Sequence, residues 1–425
     1  MAERLLISKA QVADNNGLHR VDVLVEDGHI AQIADTIQAP DDARIIDAEG
    51  LLLSYGFCDL HVHFREPGQE AKETIRTGSM AAAHGGYTTV CTMPNLSPAP
   101  DAPDTLGIEL QRIHDTAVVE VLPYATLTRQ RAGKEPVDMA ALKHQAVAFS
   151  DDGSGIQTDE VMRALMRQAA EEGVIIAAHC EDNTLLHGGY IHDGDYARRH
   201  GHRGICSESE WGQIARDLAI ALETGCRYHV CHISTKESVE LIRHYKALGA
   251  KVTCETGPHY LTLCDEDLQE EGRYKMNPPL RSADDRAALI AGLQDGTIDA
   301  IATDHAPHTS EEKSRGLEKS PFGIVGLETA FPILYTHLVL PGIITLPQLI
   351  DLLCQRPRKI FGIGGSLQPG QPADLTLFDL THEYTIRSAD FLSMGKATPF
   401  EGWTVKGRCM LTLKDGKVVY RADIR

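Results

Sequence analysis

The sequence predicts an α/β protein: a (β/α)8 TIM barrel carrying a small β-sandwich domain formed by both termini. Three observations predict it. Eight short apolar runs rich in β-branched residues alternate with segments of helical periodicity, nearly every run turns polar at its C-terminal end, and both ends of the chain read as hairpins.

Taken in order, the first 55 residues contain LLISKAQV, RVDVLVEDGHIAQIA and ARIIDAEGLLL, whose alternation and Asp27-Gly28 turn suggest hairpins. The far end returns to this style with PADLTLFDL and CMLTLKDGKVVYRA, which carries a second turn at Asp415-Gly416. Residues 1–55 and 365–425 are therefore expected to build one β-sandwich, and residues 56–364 the barrel. The eight runs are GFCDLHVH, YTTVCTMPN, VVEVLPYATLT, AVAFSDDG, VIIAAHCED, RYHVCHIST, KVTCETGPHY and DAIATDHAPH. Between them, ETIRTGSMAAAHGG, TDEVMRALMRQAAEEG and KESVELIRHYKALG show helical periodicity, and each ends in glycine. An open doubly wound sheet is the alternative, but it gives no reason for the polar ends.

The length of 425 residues suits a large barrel plus a smaller module. With 42% hydrophobic and 24% charged residues the chain is that of a folded protein. Its net charge of −19 argues against nucleic acid or an anionic membrane as the main partner, so an anionic substrate needs a local cationic pocket. The ten cysteines form no C-x-x-C pair, and Cys91, Cys180, Cys231 and Cys254 sit inside apolar runs as core thiols. The start, MAERLLISKAQ, lacks the apolar region of a signal peptide, and residues 330–344 are interrupted by Pro332, His337, Pro341 and Gly342. A reducing cytoplasm is the expectation.

The polar ends carry the chemistry. His61 and His63 end the first run, Asn95 the second, Asp151 and Asp152 the fourth, His179 the fifth, His232 the sixth, His259 the seventh, and Asp304 and His308 the eighth. In a (β/α)8 barrel such ends converge on one face. A lone histidine there is more often a hydrogen-bonded structural residue; four histidines with two or three aspartates are hard to explain as core. His61 and His63 are two apart on a strand, so they point the same way and can clamp one ion. Imidazole and carboxylate donors suit zinc. His61, His63, His179, His232, Asp304 and one of Asp151 or Asp152 exceed the needs of one zinc. Two metals sharing a bridging carboxylate and a bridging hydroxide account for the set, and such a pair activates water and polarises a carbonyl.

DLHVHFREPG (residues 59–68) and ATDHAPH (302–308) followed by Lys313 resemble the two motifs of dihydroorotases, while AFSDDGSGIQ (148–157) and MNPPLRS (276–282) are similar to class I members. The likeness runs in order along the whole chain to PGQPADLTLFD near its end. It implies a binuclear zinc enzyme of pyrimidine biosynthesis that reversibly cyclises N-carbamoyl-L-aspartate to L-dihydroorotate. By the resemblance, His61, His63 and Asp304 hold the more buried metal, and His179 and His232 the more exposed one. Many relatives bridge the two with a carboxylated lysine at the fourth strand, but this run ends Ser150-Asp151-Asp152; the class I pattern points to Asp152, with Asp151 the alternative. The resemblance further implies that Arg65, Asn95 and His308 hold the substrate carboxylate, that Asn277 and the backbone around Phe322 and Gly323 meet the ring, and that His63 also touches the substrate. The bridging hydroxide is the expected nucleophile and Asp304 the general base and acid.

His84, His187, His192, His200, His202, His259 and His305 read as structural or solvated. The polar, glycine-punctuated segment 309–323 is expected to act as a lid. Allantoinase and hydantoinase are the nearest rivals, but both are expected to carry the missing lysine. A non-catalytic subunit bound to aspartate transcarbamoylase is the rival of a different class, and such chains typically lose ligands that are all present here. A homodimer is expected, with aspartate transcarbamoylase as a further candidate partner.

Overall fold

The computed structural model describes residues 4–422, so residues 1–3 and 423–425 of the expected β-module lie outside the described residues. Both ends of the described chain meet in one eight-stranded sheet. Its order is Lys417–Arg421, Arg408–Lys414, Leu375–Asp379, Leu52–Tyr55, Arg4–Asp14, Gly17–Glu26 and His29–Ala34, with Arg44–Asp47 also paired to Arg4–Asp14. The two Asp-Gly turns are two-residue hairpin loops, closed by Glu26 opposite His29 and Lys414 opposite Lys417. All four turn residues have positive φ (47° and 79°, 51° and 73°), which is why Asp-Gly stands there. A bulge between Ile7 and Ala10 splits the long strand Arg4–Asp14. Residues before it pair with Arg44–Asp47, and Gln11 beyond it pairs with Leu52.

Eight parallel segments follow one another around a circuit. Phe57–Val62, Tyr87–Thr92 and Glu120–Pro123 form one arc; Ile175–Ala178, Arg227–Val230, Val252–Thr256 and Ala300–Ile301 form another. Single parallel bridges join the arcs: Ala125 to Phe149, Phe149 to Ile176, and Val62 to His305. Backbone bonds support each join, including Phe149 N to Ile175 O at 3.0 Å and His63 N to His305 O at 2.8 Å. The fourth and eighth segments are more irregular than their apolar runs suggest. Phe149 alone makes the bridges of the fourth, and beyond Ile301 the backbone turns at Asp304, with φ of 47°.

Because such strands are covered on both faces, their sequences are continuous apolar runs. Cys58, Leu60, Cys91, Met93, Tyr124, Ala148, Ile175, Ala177, Cys231 and Ala300 form a cluster separate from the main core. Drawn from nearly every segment, it fills the space they enclose. The four cysteines assigned to the core are indeed buried free thiols.

The terminal sheet is fastened to the barrel by aromatic rings. Phe57 on the first barrel strand stacks on Phe378 of the sheet at 5.2 Å, and Phe331 lies 5.4 Å from Phe57 and 4.2 Å from Phe378. Gly86, with φ of 87°, makes room: a Cβ there would stand 2.4 Å from the Phe378 ring.

Candidate metal centre

Four imidazoles and two carboxylates meet where the strands of the circuit end. His63 Nε2 lies 3.1 Å from Asp304 Oδ1, and His61 Nε2 lies 3.5 Å from the same oxygen. Asp152 stands among all four rings. Its Oδ1 is 3.4 Å from His61 Nε2, 3.9 Å from His232 Nε2 and 4.0 Å from His179 Nδ1, and its Oδ2 is 3.6 Å from His63 Nε2. His179 Nδ1 and His232 Nε2 are 3.1 Å apart. All six side chains are buried. Asp151 faces elsewhere: it accepts from the N–H groups of Leu127 and Thr128 at 2.8 and 3.1 Å and from the Thr128 hydroxyl.

Neighbouring residues hold these groups in place. Asp59 accepts from the N–H of His61 at 3.0 Å and from that of Thr303 at 3.1 Å, tying the first segment of the circuit to the last. Burial pushes its carboxyl up to about 7. Arg65, His232 and Asp304 all have positive φ (60°, 33° and 47°), a conformation that L side chains adopt at a cost and that clusters at working sites. Beyond His232, the Glu210 carboxylate accepts from the N–H groups of Ser234 at 2.9 Å and Thr235 at 3.1 Å. The carbonyl of Asp152 is fixed by Asn95 Nδ2 and Arg131 Nη2, each at 2.9 Å.

Burial disfavours charge throughout the cluster, and the partners decide the outcome. It lowers His63 to about 4. At His61 it is outweighed by Asp152, Cys231 and Glu255, which raise the ring well above its ordinary value. Burial would also raise Asp152 and Asp304, but the surrounding histidines pull both below the carboxylate range, so both stay ionised. Glu255 behaves alike: His229 and His61 overcome its burial and bring it down to about 2.

The donor set fits a metal. Buried polar atoms almost always find a hydrogen-bond partner, yet His61 Nε2 and Asp152 Oδ1, which face each other in the cluster, have none among the described residues. Donor atoms of His61, His63 and Asp304 lie within 4.8 Å of one another, as do those of His61, Asp152 and His232. Both groups are all-nitrogen-and-oxygen sets of the kind that binds zinc. His61, Cys231 and Glu255 form a third group of donor atoms that close together, one of them a sulfur, but burial pushes the Cys231 thiol up to about 12, which disfavours the thiolate a metal needs.

Around this cluster stand the residues expected to meet substrate. Arg65 lies beyond its strand, and the backbone turn rather than strand alternation aims it. It is buried, with Nε 3.3 Å from Pro307 O and Nη2 3.4 Å from His308 Nε2. Burial lowers it to about 10, so it remains a cation at neutral pH. His308 Nε2 is 2.8 Å from Phe322 O. The Gly323 N–H is spent on Lys275 O at 3.1 Å. Asn277 donates to Glu181 Oε1 at 2.9 Å and sits 3.4 Å from His179 Nε2. Asn95 keeps its Oδ1 buried and without a partner among the described residues.

The segment 309–323 is folded rather than an open loop, with short helices Ser310–Lys313 and Gly316–Lys319. The buried Lys313 ammonium fastens it by donating to Lys275 O at 3.0 Å and Pro321 O at 2.9 Å. Sequence reasoning missed Asp59, Arg131, Glu181, His229 and Glu255. Asp59 opens the very motif that supplied the histidines, and Glu255 is a lone acid inside an apolar run, so both had a readable signal. Arg131 and Glu181 lie in polar loops and had none.

The dihydro-orotase-like family matches residues 50–238. A dihydroorotase of Geobacillus sp. (strain WCH70) is 53% identical over 407 residues, covering 95% of this chain and 95% of that protein. One from Shouchella clausii (strain KSM-K16) is 53% identical over 417 residues, covering 97% of each. Among solved structures, an L-hydantoinase (dihydropyrimidinase) from Arthrobacter aurescens superposes with a TM-score of 0.89 at 29% identity, over 99% of this chain and 96% of that one. A dihydropyrimidinase from Brevibacillus agri NCHU1002 shares the fold, with a TM-score of 0.86 at 24% identity over 98% and 95% of the two chains.

Proposed function

The chain belongs to the dihydroorotase family, and from that premise we propose that it hydrolyses L-dihydroorotate and, in the biosynthetic direction, cyclises N-carbamoyl-L-aspartate. The observation that carries the reading is the Asp152 carboxylate in contact with four imidazoles, at the place where the hydantoinase-type rivals are expected to carry a lysine.

His61, His63 and Asp304 would hold one zinc ion, His179 and His232 a second, and Asp152 both, making water a nucleophile at neutral pH and polarising the carbonyl it attacks. Asp304 takes the proton of the attacking water and delivers it to the departing ring nitrogen. Its ionised state supports the first half of that role. Arg65, with Asn95 and His308, binds the substrate carboxylate beside His63. Asn277 and the backbone at Phe322 and Gly323 meet the ring through groups other than the Gly323 N–H, which Lys275 O already holds.

A cytoplasmic location belongs to the same reading, supported by ten free cysteines. No described helix is long and apolar enough to cross a membrane. A homodimer, or association with aspartate transcarbamoylase, rests on the resemblance.

Substrate choice tests the proposal. Dihydrouracil and hydantoin offer the same amide without the ring carboxylate, so kcat/KM for dihydroorotate should exceed theirs by roughly 30-fold to several thousand-fold. Equal turnover of the three would reject the dihydroorotase activity and favour a hydantoinase.

A further inference from the structure

Behind His61, on the side away from Asp152, the barrel encloses a carboxylate that no step above uses. Glu255, on the strand Val252–Thr256, is fully buried. Its Oε1 lies 3.4 Å from His61 Nδ1, and its Oε2 lies 3.2 Å from Nε2 of His229, also fully buried. On the far side, His229 Nδ1 is 2.8 Å from the Thr253 hydroxyl. A polar line therefore runs from Thr253 through His229 and Glu255 to His61, and ends on Asp152 and Asp304.

An ionised carboxylate is costly to enclose in an apolar barrel, and its partners must compensate. The two imidazoles are its ion-pair partners, and neither Glu255 oxygen has a hydrogen bond of ordinary geometry among the described residues. The arrangement is directional. His61 turns Nε2 toward Asp152 at 3.4 Å and Asp304 at 3.5 Å, which leaves Nδ1 for Glu255. An imidazole that gives one N–H to a carboxylate is fixed in tautomer and ring orientation, and its other nitrogen becomes a more basic donor.

We infer that Glu255 is a positioning residue: its carboxylate accepts the Nδ1–H of His61, so that the Nε2 lone pair is aimed into the cluster of donors, and it is itself held from behind by His229. The inference rests on the metal-centre reading above.

Zinc affinity of the apo-protein, measured by competition with a chelator in the parent and in Glu255→Gln, tests it. The isosteric amide keeps the shape and removes the charge, so zinc should bind about 10- to 100-fold more weakly. Melting of the two apo-proteins is the control. A role confined to stability would lower the apo melting temperature while leaving zinc affinity unchanged, and that result overturns the inference. A third equivalent of zinc bound by the parent and lost in Glu255→Gln also overturns it, in favour of a ligand role beside His61 and Cys231. Should Glu255→Gln fail to fold, Glu255→Asp withdraws the charge by one methylene: weaker zinc binding supports the inference and unchanged binding overturns it. A parent that takes up no zinc rejects the metal centre itself, and the inference with it. A parent that takes it up, matched by Glu255→Gln, rejects this inference alone.

Discussion

Asp304→Asn should lower turnover in both directions by about two to four orders of magnitude, the usual worth of a positioned acid-base group. The substitution keeps the shape and removes the proton acceptor. The native carboxylate is ionised and therefore free to accept, although the neighbouring histidines that hold it below the usual aspartate range also make it a weaker base. Because the same oxygen faces both rings, metal content must be measured on the variant preparation. Retained metal with lost turnover assigns the loss to the missing base. Near-normal turnover would transfer proton movement to another group, with His308 the first candidate.

Arg65→Met should weaken transition-state binding of dihydroorotate by about 2–5 kcal/mol while leaving the metal content unchanged. The structure gives the reason. Arg65 is buried, yet no carboxylate pairs with it among the described residues; its contacts are the Pro307 carbonyl and His308. Burial and the neighbouring Arg65, Lys72 and Lys313 charges hold His308 down to about 3, so it is neutral at working pH. A buried guanidinium normally has a carboxylate in direct contact, whereas Asp304, Asp152 and Glu312 attract this one only from farther off. In the proposed reading the ionised ring carboxylate of dihydroorotate would supply that contact. Kinetics on dihydroorotate and dihydrouracil separate this from a general defect: the first should collapse and the second should not. Equal losses on both would remove Arg65 from carboxylate recognition.

The cluster of histidines and aspartates and its barrel were legible in the sequence for one physical reason. Strand ends that converge in space carry residue types that core positions exclude, so His61, His63, His179, His232 and Asp304 stood out against apolar runs. The hairpins of the terminal sheet were legible because Asp27-Gly28 and Asp415-Gly416 meet a backbone demand that few other pairs satisfy. Residue type alone did not separate Asp151 from Asp152, and the choice of Asp152 came from the class I resemblance: adjacent residues of one type differ only in where the chain turns, and the turn gives Asp151 to Leu127 and Thr128. Arg65 was expected to reach the cavity by strand alternation, but its strand stops at Val62 and a left-handed residue redirects it. Glu255 was visible as a lone acid inside an apolar run, but its pairing with His229 was not, because partners on neighbouring strands leave no spacing to read.

The central claim is a two-metal site organised on Asp152. Its most direct test is titration of the apo-protein with zinc while dihydroorotate hydrolysis is followed on the same sample. Activity should rise to its maximum at two equivalents per chain, Asp151→Ala should follow the same curve, and Asp152→Ala should not reach it. Full activity at one equivalent, or an Asp152→Ala protein that matches the parent, would contradict the account.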